Sequence, residues 1–135
     1  MAISMRGEGW KGDVTTAQYV GWIACQSFEL GATNNFRAAT AQGANRQGNH
    51  SEISEITITK SLDTASLPIF ADALMGKIRG EVLFMFTRAD QDNTAYMSVR
   101  LYSVGVSGSS ISSDGDRPSE KVTLNFTNIE LRDIR

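Results

Sequence analysis

Two runs of this chain switch the phase of their apolar residues part-way along, and few folds accommodate that. In Tyr96 to Val106, Met97, Val99 and Leu101 face one way, whereas Val104 and Val106 take the other phase. In Lys121 to Ile134, Val122, Leu124 and Phe126 share a face, but Ile129 and Leu131 lie on the opposite one. Strand side chains alternate with a period of two, so each switch implies a bulge or a corner where a strand leaves one sheet and joins another. That pattern belongs to a barrel or an orthogonal sandwich. Further strands are expected around these two. Ala2 to Arg6 carries Ile3 and Met5 on one phase. Glu81 to Arg88 is apolar on both phases, with Val82, Phe84 and Phe86 against Leu83 and Met85, and reads as central. Tyr19 to Phe28 places Val20, Trp22, Ala24 and Phe28 opposite Tyr19, Ile23 and Cys25, so it is expected to be covered on both sides by the core or by a subunit contact.

Glu52 to Gly80 joins a further strand to the one segment with a helical period. Ile56 and Ile58 alternate with Glu55, Thr57 and Thr59 and mark a half-buried face, while Ile53 falls on the other phase. Thr64 or Ser66 can cap the helix, Pro68 suits its first turn, and Gly76 or Gly80 can end it. Leu67, Phe70, Ala71, Leu74 and Ile78 form one stripe. A helix this short is not stable alone, so the stripe is expected to pack on a sheet, and Phe70→Asp or Leu74→Asp to impair folding.

Between the strands lie three polar connections. Gly31 to Ser51 (GATNNFRAATAQGANRQGNHS) is the longest stretch without apolar pattern, anchored only by Phe36; it reads either as a loose excursion or as an arm that orders against another copy. Ala89 to Thr94 supplies hairpin turn chemistry, and Ser107 to Glu120 reads as a polar loop.

One domain is expected over residues 1–135, with one core. A net charge of −2 argues against a general nucleic-acid binder. No apolar run approaches a membrane span and the N-terminus lacks an apolar signal core, so cytoplasmic synthesis without a cleaved signal peptide or direct membrane insertion is expected. One cysteine and one histidine leave little for metal binding or nucleophilic catalysis, and His50 reads as a solvated polar residue. Gly7, Gly9 and Gly12 match a dinucleotide fingerprint, but no crossover helix follows and a loop is the better reading. From Asp90 the run faintly suggests a calcium loop, but Ala95 and Leu101 stand where glycine and glutamate belong, and a hairpin turn is the better reading. Asp114, Asp116 and Glu120 read as a solvated turn, Cys25 as a small buried hydrophobe, and the sequons at Asn49 and Asn125 as chance matches. By elimination the chain is a binding or assembly protein rather than an enzyme, with no cofactor expected.

The segment TITKSLDTASLPIFADAL and the later LYSVGVSGSSISSDGDRPSEKVTLNFTNIEL resemble the Hcp family, the tube protein of bacterial type VI secretion systems. The matching signals are Thr59, Lys60, Asp63 and Ser66 leading into the helix, the run Val104 to Ser109, and Asp116, Arg117 and Pro118 opening the Val122 to Phe126 strand. The resemblance implies a mainly β fold with one α-helix, namely a compact β-barrel of two packed antiparallel sheets with a flanking helix and a long extended loop. It implies hexameric rings stacked into a tube, with a contractile sheath, a spike protein and secreted effectors as partners, and export through the apparatus. It also implies that Gly31 to Ser51 is the inter-ring arm, with Asn34, Asn35, Phe36, Arg37, Asn45 and Arg46 as its stacking residues. The competing expectation is a monomeric β-sandwich that binds a ligand such as carbohydrate through Trp10, Trp22 or Tyr102.

Overall fold

The computed structural model describes residues 2–35, 50–88 and 94–134. Their order is β1 (Ala2–Gly7), β2 (Ile23–Cys25), β3 (Ser27–Glu29), β4 (Ala32–Asn35), β5 (His50–Ile53), β6 (Ile56–Ser61), α1 (Ser66–Met75), β7 (Ile78–Thr87), β8 (Ala95–Ser112), β9 (Ser119–Asn125) and β10 (Asn128–Asp133). Eight strands make one antiparallel sheet in the order β2-β1-β7-β8-β9-β6-β3, with β10 on β8, while β4 and β5 pair as a separate ribbon. The sheet is rolled. Ile3, Met5, Ile23, Ile58, Phe84, Leu101, Val106 and Leu124, drawn from both halves of that order, fall in one buried cluster. No ladder joins the two ends of the path, but β2 and β3 are consecutive on the chain, either side of Gln26. The Gln26 N–H donates to Thr59 O at 2.7 Å. The fold is thus mainly β with one helix and two antiparallel sheets as expected, the larger of eight strands curled around the core and the smaller the two-stranded β4–β5 ribbon.

The phase switches mark two sides of one corner. In β8, Val99 and Leu101 are buried, Ser103 is exposed with φ 53°, and burial resumes at Val104 and Val106. A left-handed residue re-aims the following side chains, so the apolar period restarts on the other parity. On the facing edge the expected Lys121–Ile134 strand is two strands, with Asn125 opposite Gly105 and Asn128 opposite Tyr102. Thr127 closes the break by donating its backbone N–H (3.1 Å) and its hydroxyl (3.2 Å) to Tyr102 O.

Several expectations need correction. Tyr19–Phe28 is not a single covered strand: Tyr19 to Trp22 lie in turns, Val20 is 68% exposed, and only the two short strands β2 and β3 follow. The Ser107–Glu120 loop shrinks to Ser113–Pro118, because residues 108–112 pair with β9 and extend β8 to Ser112. The alternating strand expected at the start of Glu52 to Gly80 breaks at Ser54 and Glu55 into β5 and β6, leaving Ile53 exposed while Ile56 and Ile58 are fully buried. The ends of the expected arm are ordered as the ribbon, Ala32 facing Ile53 and Asn35 facing His50.

Candidate functional site

The helix ends at Gly76, whose φ of 67° is the left-handed value that glycine adopts without penalty, and its N–H donates to Asp72 O at 2.9 Å. Neither Thr64 nor Ser66 caps the other end. Ala65 occupies that position, its N–H donating to Asp63 Oδ1 at 3.0 Å, while Thr64 Oγ1 lies 2.8 Å from both Lys11 O and Asp13 Oδ1. Ser66 turns inward, accepting the Asp63 N–H at 2.9 Å.

Ser66 does so because a lysine waits beneath it. Lys60 is fully buried in the wall of the barrel, and its Nζ lies 2.8 Å from Asp63 Oδ1, 3.0 Å from Ser66 Oγ, 3.1 Å from Glu120 Oε2 and 3.1 Å from Ser61 O. Glu120 comes from β9, directly opposite Lys60 in the β6–β9 ladder. It is 1% exposed, which corrects its reading as part of a solvated turn. A buried ammonium is costly unless oxygens replace its water shell, and here four do. The neighbouring turn is tied to the same place: Arg117 Nη2 donates to Leu62 O (3.1 Å), Leu62 N–H donates to Pro118 O (3.2 Å), and Asp116 O accepts the Ser113 hydroxyl (2.8 Å). Thr59, at the edge, has its hydroxyl 2.6 Å from that of Ser27. The two groups of motif residues, Thr59 to Ser66 and Asp116 to Pro118, therefore meet in space.

A second polar cluster holds the other end of α1, and no sequence signal announced it. Asp72 accepts the Trp10 indole N–H at 2.9 Å and is gripped by Arg79, with Nε to Oδ2 at 2.7 Å and Nη2 to Oδ1 at 2.9 Å. Arg79 also lies over the Trp10 ring, 5.8 Å from its centre. Burial pushes the Asp72 carboxyl up, but the bonds from Arg79 and Trp10 outweigh it and hold the group below its ordinary value of 3.8. Arg79 is correspondingly raised by that bond to Asp72.

These anchors turn α1 opposite to the expected way. Ser66, Ile69 and Asp72 are buried, whereas Leu67 (75% exposed), Leu74 (77%) and Met75 (76%) face outward. Ile78, expected on the helix, opens β7 beside them and is 62% exposed. Of the predicted stripe, Leu67, Ala71, Leu74 and Ile78 lie outside and Phe70 is half-buried, so Leu74 does not belong to the folding core.

Of the expected stacking residues, Asn34 and Asn35 lie in β4, with backbones opposite Ser51 and His50. Phe36, Arg37, Asn45 and Arg46 lie outside the described residues. The aromatics expected of a binding module are Trp10, Trp22 and Tyr102, the last half-buried in β8. Trp10 is buried with its indole N–H given to Asp72, and Trp22 has Tyr19 on its edge and Arg6 over its ring. Cys25 is half-buried beside a cavity of about 310 Å³ that Asp63 and Arg117 also line; burial pushes its thiol up to about 12, Lys60 pulls it down, and Asp63 adds to the rise. Among the described residues no three His, Cys, Asp or Glu side chains gather as a metal site, and no helix is long and apolar enough to cross a membrane.

Comparison with known proteins follows this geometry. The family described as type VI secretion system effector, Hcp, matches residues 4–132. No curated protein matches the chain by sequence. Among solved structures, a type six secretion system protein superposes with a TM-score of 0.88 at 20% identity, over 96% of this chain and 82% of its own. Hcp1 from Salmonella typhimurium gives 0.81 at 15%, over 99% and 86%, and a type VI secretion system effector from Yersinia pestis gives 0.76 at 16%, over 98% and 99%.

Proposed function

Because the chain belongs to the Hcp family and is a tube subunit of type VI secretion, we propose that it works by self-association, six copies closing into a ring and rings stacking into a tube. The observation that carries this reading is the exposed apolar stripe of α1 and β7, Leu67, Leu74, Met75 and Ile78. A head-to-tail contact that closes on itself would cover these exposed side chains once per subunit. The polar arm of residues 31–51, which leaves the barrel as the β4–β5 ribbon, contacts the next ring through Asn34, Asn35, Phe36, Arg37, Asn45 and Arg46. A contractile sheath surrounds the tube, a spike protein tips it, and effector proteins travel with it. The reading is structural rather than enzymatic, and export occurs through the apparatus itself. Native mass measurement and electron micrographs test it. Six-subunit rings at micromolar concentration are expected; a strict monomer at high micromolar concentration, with no rings on the grid, overturns it.

A further inference from the structure

Helix α1 shows the barrel its poorer face. At about 100° per residue the inward set Ser66, Ile69, Asp72 and Ala73 is centred roughly half a turn from Leu67, Leu74 and Met75. Burial alone favours the opposite rotation, since leucine and methionine side chains gain by leaving water and the inward face offers Ile69 with Ala73, Phe70 being half-buried between the two faces. What opposes that rotation is polar and sits at both ends. The Lys60 ammonium holds Ser66 and Asp63 at the N-terminus, and Arg79 with Trp10 holds Asp72 near the C-terminus. Turning α1 by half a turn would carry Ser66 and Asp72 out and leave Lys60 and Arg79 without these oxygens.

We propose that Lys60 and Asp72 are positioning residues for assembly: the two clusters fix the rotation of α1 so that its apolar stripe stays outward and is presented to a second copy of this chain. The inference rests on the ring reading above and adds the device that keeps the contact surface from burying itself. Buried ion pairs suit the task, because replacing one by apolar groups of similar volume is often neutral for stability while the geometry it specified is lost.

The test separates rotation from folding. Asp72→Leu with Arg79→Met removes one anchor and makes the inward face apolar. In a Cys25→Ala, Met75→Cys background the thiol at position 75 reports the rotation through its labelling rate in dilute, monomeric protein. The expected result is a retained β spectrum, labelling slowed several-fold, and ring formation needing roughly tenfold more protein, equivalent to about 1.4 kcal/mol per contact. Unchanged labelling together with unchanged ring formation overturns the proposal. If the double variant does not fold, Asp72→Asn, which keeps an acceptor for Trp10, decides by the same two readouts. Leu74→Asp keeps the underlying reading separable: if it forms rings like the native chain, the stripe is not the contact surface; if it alone blocks rings, only the positioning role fails.

Discussion

Lys60 shows how far a single side chain can be read before its fold is known. Its type and its neighbours Asp63 and Ser66 stand out in the sequence, but Glu120 lies 60 positions away and meets it only because β6 and β9 are adjacent in register. Sequence separation hides that pairing, and so Glu120 reads as a surface carboxylate. The Trp10 to Asp72 bond, across 62 positions, was invisible for the same reason. Removing the ammonium leaves two carboxylates in a dry site, so Lys60→Met is expected to cost about 3–5 kcal/mol in denaturant unfolding, and adding Asp63→Asn with Glu120→Leu to recover much of it. Asp72 sets a pH dependence. Its carboxyl titrates lower in the fold than in the unfolded chain, so its contribution is fully present above about pH 4 and is lost as the pH falls through the lower folded value. An acid titration of thermal stability should therefore decline below pH 4 in the native protein, and more shallowly in Asp72→Asn.

At the scale of elements, the strands were more legible than the helix. The parity switches in the last two long runs located the corner at Tyr102 to Ser103 and Phe126 to Thr127, because a change of phase has few physical causes. A helical period, by contrast, says which residues share a stripe and not what the stripe faces. Leu67 and Leu74 pointed to a core contact, and polar contacts from other elements decided otherwise. Leu74→Asp is accordingly expected to change stability by no more than about 0.5 kcal/mol, the usual effect of a surface substitution, while abolishing rings in electron micrographs. The arm gives the complementary outcome: Phe36→Ala should leave the thermal unfolding profile and single rings intact and shorten the stacked tubes, and an unfolded Phe36→Ala protein would contradict that division.

In the whole molecule, one run of chain borders both ends of the curled sheet. A rolled sheet has one seam, and here both of its lips are stitched by the same seven residues, Ile23 to Glu29, gripping β1 on one side and β6 on the other. Losing that stitch frees both lips together. A state with that stitch released would bare the edges of β1 and β6 and the core between them at once. Opening at one lip is therefore expected to accompany opening at the other.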